Sequence, residues 1–168
     1  MAETTKRPEH PALIINPHSG GGKAEQFGLV GAARALGIEA VVLEPDDDRA
    51  ALAEAAVDRG VDHLMMAGDD GSLGVVAELA VDRGTTFGCV PVGTRNHFAM
   101  EIGLDRDDPL AALQAVMEPR SLAIDYERID NRCSSSREAP RSFDRSSRRA
   151  RDPSTTSWSE LLRTTPTA

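Results

Sequence analysis

His63-Leu64-Met65-Met66-Ala67-Gly68-Asp69-Asp70-Gly71-Ser72-Leu73 runs from an apolar stretch through a glycine-bounded acidic turn into a helical pattern. A run this short and apolar on both faces suits a strand buried inside a parallel sheet. After it, Leu73, Val76, Leu79 and Ala80 hold one helical face. Gly84 then stands where a left-handed C-cap belongs. The same unit recurs on both sides. Apolar runs at 12–15, 40–43 and 87–90 end in Asn16-Pro17, Glu44-Pro45 and Pro91. Phe27, Val30, Ala33 and Leu36 mark a helical face closed by Gly37, and Leu52, Ala55, Ala56 and Arg59 mark another closed by Gly60. Strands alternating with helices predict a three-layer α/β/α domain with a mainly parallel sheet. The order 2-1-3-4 is expected, because it sets the Gly-rich loops of the first, third and fourth strands side by side. It also sends the acidic loop Glu44-Pro45-Asp46-Asp47-Asp48 to an edge. Asp108-Pro109 opens a further helix through Leu110, Leu113 and Val116. Leu122-Ala123-Ile124-Asp125-Tyr126 alternates, as an edge or antiparallel strand would.

The rest of the chain bounds the function. With 168 residues, 40% of them apolar and 27% charged, it is long enough for one domain with a real core. Cys89 and Cys133 are too few for a disulfide framework or a multi-cysteine zinc site, and no apolar run reaches the length of a membrane span. The polar start, residues 1–11, lacks the apolar core of a signal peptide. A cytoplasmic location is expected, with any membrane contact peripheral. The formal charge of −8 argues against a nucleic-acid partner. Charge is unevenly spread: residues 1–130 hold 11 Lys and Arg against 23 acids, and residues 131–168 hold 8 Arg against 4 acids. The second segment carries nine Ser and five Thr, with few large apolar residues to offset the entropy of ordering it. It is expected to be a disordered tail behind a domain at 12–130.

Three strand-to-helix loops share a composition: Asn16-Pro17-His18-Ser19-Gly20-Gly21-Gly22-Lys23, Gly68-Asp69-Asp70-Gly71-Ser72 and Pro91-Val92-Gly93-Thr94-Arg95-Asn96. Each falls at the sheet edge where open parallel sheets bind ligands. Helix N-termini there favour phosphate, and glycine lets backbone amides approach its oxygens. The first loop is not a P-loop, since Pro17 and Ala24 stand where that motif needs Gly and Ser or Thr, and no Gly-x-Gly-x-x-Gly follows the first strand. Plain alternatives exist for each loop. A Gly-rich turn can be only a tight connection, and Asp70, Thr94 and Asn96 can be only helix caps. His18, His63 and His97 show no metal spacing, so no protein metal site is expected from them, and Cys89 reads as inert core.

Taken together, Asn16-Pro17-His18-Ser19-Gly20, Gly68-Asp69-Asp70-Gly71-Ser72 and Pro91-Val92-Gly93-Thr94-Arg95-Asn96-His97-Phe98-Ala99 resemble the catalytic domain of the diacylglycerol kinase and sphingosine kinase family. The resemblance covers about residues 12–130. It implies ATP- and Mg²⁺-dependent transfer of a phosphoryl group to a lipid hydroxyl, diacylglycerol-like or sphingoid, at a membrane surface. It implies that Asn16, Ser19, Gly20, Gly21, Gly68, Gly71, Ser72, Gly93, Thr94 and Asn96 hold the nucleotide. By the same resemblance Asp70 handles nucleotide and metal or activates the acceptor. Such chemistry asks for positioning and charge neutralisation above all.

Two departures qualify that expectation. Asp69 stands where the family has a second glycine. Its carboxylate would repel phosphates by about 1–4 kcal/mol at surface-like dielectric, or else recruit Mg²⁺. The family also continues after Ile124-Asp125 into a β-rich second domain, where this chain has its Arg/Ser tail, as an out-of-frame reading of GC-rich coding sequence would produce. The chain is therefore expected to be an incomplete lipid kinase. The alternatives are a non-catalytic nucleotide-binding module and a scaffold-only interaction domain. Without the second domain, the edge near Ile124 would be open to self-association.

Overall fold

The computed structural model describes residues 6–116 throughout, and 3–4, 120–121, 126–129 and 132–135 as backbone strands. Along the chain lie β1 (Glu3–Thr4), β2 (Pro11–Ile15), a 3₁₀ turn (Ser19–Gly21), α1 (Lys23–Gln26), α2 (Leu29–Ala35), β3 (Glu39–Val42), α3 (Arg49–Asp58) and β4 (His63–Gly68). Then come α4 (Asp70–Arg83), β5 (Thr86–Pro91), α5 (His97–Glu101), α6 (Pro109–Ala115), β6 (Arg120–Ser121), β7 (Tyr126–Ile129) and β8 (Arg132–Ser135).

The central sheet runs β3-β2-β4-β5, all parallel. This is the expected order 2-1-3-4 of the four apolar runs. Period-two alternation sorts their side chains onto two faces. Ala12, Ile14, Leu64 and Met66 pack with Ala53 and Ala56 of α3, Leu73, Val76 and Ala80 of α4, and Ala99 of α5. Leu13, Ile15, Met65 and Ala67 pack on the other face with Ala24, Leu29 and Ala33 of α1 and α2 and with Leu113 of α6. Apolar burial on both faces is why these runs contain almost no polar residue, and it makes the three layers.

Local signals act where the sequence places them. Gly37, Gly60 and Gly84 all have positive φ, as left-handed helix stops. Asp108 accepts from the Ala111 amide at 2.9 Å, with Pro109 as the first helical residue of α6. Asp48 caps α3 through the amides of Ala50 and Ala51. One helical reading is corrected. The face drawn through Phe27, Val30, Ala33 and Leu36 is not one helix: the chain breaks at Gly28, φ +61, and the buried residues of α2 are Leu29 and Ala33. At the other end, Arg132–Ser135 pairs antiparallel with Tyr126–Ile129, so strand structure extends past the start drawn for the tail at 131. The strand expected over 122–126 lies outside the described residues except for Tyr126, which opens β7, and residues 136–168 lie outside them entirely.

Candidate nucleotide site

The sheet order creates a switch point. From β2 the chain goes outward to β3, then crosses back to β4 on the opposite side of β2. The crevice between the C-terminal ends of β2 and β4 is where open α/β sheets take ligands. Pairing brings those ends together: Ile15 lies beside Ala67, and Gly68 beside Pro91. All three Gly-rich loops therefore leave the sheet on one edge. The acidic loop leaves from β3 at the sheet's rim, where Asp47 accepts from the Glu44 amide at 2.8 Å.

Glycine then lets the loops touch. A side chain on Gly20 would drive its Cβ far closer than 3.0 Å to the Val92 carbonyl oxygen, locking the first loop onto the third. A Cβ on Gly93 would fall 2.7 Å from the Asp69 Cα, and one on Gly68 2.8 Å from the Ser72 Cβ. Asn16 joins the first loop to the second. Its main-chain N–H donates to the Ala67 carbonyl at 2.9 Å, its Nδ2 to Ser72 Oγ at 3.4 Å, and its Oδ1 accepts from the His18 amide at 3.1 Å.

Two buried polar atoms at this junction have no protein partner: Ser19 Oγ, in a residue 5% exposed, and Asn96 Oδ1, in a residue 0% exposed. Buried polar groups left unpaired are costly, and natural proteins seldom keep them without a ligand or water to satisfy them. Asn96 also holds a left-handed backbone, φ +50, found at no other non-glycine among the described residues. Its Nδ2 donates to the Gly68 carbonyl at 2.9 Å.

The two aspartates divide their work in an order the sequence does not reveal. Asp69 is the N-cap of α4 and accepts from the Ser72 amide at 2.9 Å. Burial pushes its carboxyl upward, but the bonds from Ser72 and the charge of Arg49 outweigh that and hold it below the usual range. Asp70, for which a cap of α4 is the plain alternative, is instead its first helical residue. Its carboxylate reaches the main-chain amides of His97 at 3.2 Å and Phe98 at 3.3 Å.

The diacylglycerol kinase catalytic domain matches residues 10–129. The chain belongs to that family. It is 31% identical over 122 residues to the diacylglycerol kinase of Mycobacterium tuberculosis H37Rv, covering 70% of this chain and 40% of that protein. It is 36% identical over 132 residues to a YegS-like lipid kinase of Xanthomonas campestris, covering 73% of this chain and 42% of the other. The solved structure of a diacylglycerol kinase from Bacillus anthracis has the same fold, with a TM-score of 0.60 at 20% identity over 73% of this chain and 44% of that one. The chain spans less than half the length of the relatives it matches.

Within this diacylglycerol kinase domain, the structure gathers Asn16, Ser19, Gly20, Gly68, Ser72, Gly93 and Asn96 at the loop junction. Gly21, Gly71 and Thr94 are exposed on its rim. Val92 belongs to the site through its backbone carbonyl, which no side-chain motif could signal. Lys23 turns away from the junction: its Nζ donates to the Arg106 carbonyl and lies 3.6 Å from Asp107. It does not serve as a P-loop lysine. Cys89 is buried core, its thiol pushed up to about 12 by burial. Among the described residues no group of three His, Cys, Asp or Glu side chains is arranged to hold a metal ion, and no helix is long and apolar enough to cross a membrane.

Proposed function

We propose that this domain binds ATP at the junction of the three loops and that its activity is phosphoryl transfer to a lipid hydroxyl, of a diacylglycerol or sphingoid type. The observation that carries the nucleotide reading is the pair of orphaned buried polar atoms, Ser19 Oγ and Asn96 Oδ1, at a switch point walled by glycines. A polar ligand with both donors and acceptors suits such a pair. The backbone at Gly21 and Gly71 is open enough for oxygens to approach. Bound Mg²⁺ would supply charge neutralisation of the phosphates. This ion commonly takes one or two carboxylates, waters and substrate phosphates, so a site without a cluster of protein ligands is compatible with it. Asp69 is exposed at the edge of the junction, where its charge would oppose the phosphates rather than hold the ion. The lipid acceptor is supported by the names of the relatives, and contact with its membrane would be peripheral.

A second reading rests on the same loop junction alone: a nucleotide-binding domain that does not itself catalyse. Titration calorimetry with ATP, with and without Mg²⁺, tests the binding step. Transfer of labelled phosphate from ATP to dioleoylglycerol in vesicles tests the catalytic one. Binding with transfer supports the kinase, and binding without transfer supports the second reading. No binding overturns both and leaves a scaffold domain.

A further inference from the structure

We infer that Asp70 is a positioning residue: it holds α5 and the 91–96 loop closed on β4, and acts on the nucleotide only through them. The inference rests on the nucleotide reading above for its functional half. Its structural half rests on a reciprocal pair of bonds. Asp69 already caps α4, so Asp70 is not needed there. At α5 the cap position is occupied by Asn96, whose side chain makes no cap bond. It points back instead, donating from Nδ2 to the Gly68 carbonyl at the end of β4. The first amides of α5 are thus left without a cap from their own segment. Asp70 supplies it from the next segment, each carboxylate oxygen accepting one amide, from His97 and Phe98.

The two segments are therefore laced in both directions, Asn96 to Gly68 and α5 to Asp70. Between the bonds lies the Gly93 backbone, packed so closely on Asp69 that no Cβ fits. The Phe98 ring leans on Phe87 with centroids 6.3 Å apart, and Ala99 is fully buried. A helix of five residues does not hold itself together in water, so α5 depends on these ties. Asn96 Oδ1, one of the two orphan acceptors, sits at the hinge of this lacing. Removing the Asp70 carboxylate frees the loop that carries it, and the binding-competent fraction falls.

The test compares Asp70→Ala and Asp70→Asn with the wild-type chain. Amide signals of His97 and Phe98 are followed by NMR without nucleotide, and ATP affinity is measured by calorimetry with and without Mg²⁺. In Asp70→Ala both amides should shift together and lose exchange protection. ATP affinity should fall about tenfold, the equivalent of one charge-assisted hydrogen bond, by the same factor with and without Mg²⁺. Asp70→Asn keeps an acceptor oxygen and should recover part of both effects. Unchanged amides in Asp70→Ala overturn the clamp. A loss of affinity seen only with Mg²⁺ overturns the positioning role in favour of direct metal binding. If the wild-type chain binds no ATP, the nucleotide reading and the positioning role both fall, and the amide signals still decide whether the clamp exists.

Discussion

Replacing Gly20 by alanine should be the most damaging single-methyl change in the first loop. Gly20 has φ +58 and ψ +30, so any L side chain there bears the left-handed penalty of about 1–2 kcal/mol. The new Cβ would also overlap the Val92 carbonyl oxygen and stand 3.2 Å from its carbon. Neither atom is the end of a flexible side chain. Val92 is fully buried and packs under α6, so it cannot retreat. Overpacking of this kind costs about 1–3 kcal/mol, giving a total of about 2–5 kcal/mol. That is a large share of the stability of an ordinary domain, about 5–15 kcal/mol. Gly21→Ala is the control. It has φ +70, yet nothing lies within 4 Å of its Cβ, so only the left-handed penalty applies. Urea unfolding of the two variants isolates the loop-to-loop contact as their difference, about 1–3 kcal/mol by the same overpacking estimate. Equal midpoints for the two would show that the first loop does not press on Val92, and the junction described here would be wrong.

Three further outcomes are expected. His63, half-buried with its Nε2 enclosed and unpartnered, has its pKa lowered to about 4, by burial against a weaker opposing effect of Asp62. Its folded value lies below the unfolded one, so protons favour the unfolded chain and stability falls as pH drops from about 6.5 to about 4, by up to about 3 kcal/mol. His63→Leu should remove that part of the slope, and urea unfolding at pH 7.5 and 4.5 reads it; an unchanged slope would place the sensitivity elsewhere. Asp69→Gly should cost α4 only a few tenths of a kcal/mol, since glycine is tolerated at a cap, while ATP binds more tightly at low salt and the gain fades as salt rises. Calorimetry across a salt series checks this, and unaltered affinity means the carboxylate stays turned to Ser72. Asp108→Ala should lower stability by about 0.5–2 kcal/mol through loss of the α6 cap, with ATP affinity kept, as thermal unfolding and titration together would show.

The sheet was legible because its signals are local and mutually exclusive. Runs apolar on both faces need helices on both sides, and an acidic loop among Gly-rich ones has a place at the rim. Helix ends were legible wherever one residue does the work, as at Gly84 or Asp108. The α1–α2 break was missed because apolar residues three apart fit a continuous helix as well as two short ones, and only Gly28 distinguishes them. The division of labour between Asp69 and Asp70 was hidden because it depends on where β4 ends. A shift of one residue in that end would exchange the cap and the cross-tie. The turn of Asn96 toward Gly68 spans 28 residues, and no local pattern announces it.

The glycines of the three motifs look alike in the sequence and do opposite things in space. Gly20, Gly68 and Gly93 are bare because other parts of the protein occupy the place of a side chain: Val92, Ser72 with Met66, and Asp69. Gly21 and Gly22 have nothing within 4 Å, and Gly71 has only the Asp69 carboxylate at 3.8 Å. The first group builds the junction and the second leaves it open. A ligand oxygen can reach bare backbone only at the second group, so alanine at Gly71, where φ is ordinary, should weaken nucleotide binding at little cost to folding. Alanine at Gly68 or Gly93 should cost folding first. Motif glycines in this domain are thus two populations, and what separates them is which neighbour fills the space of the absent methyl.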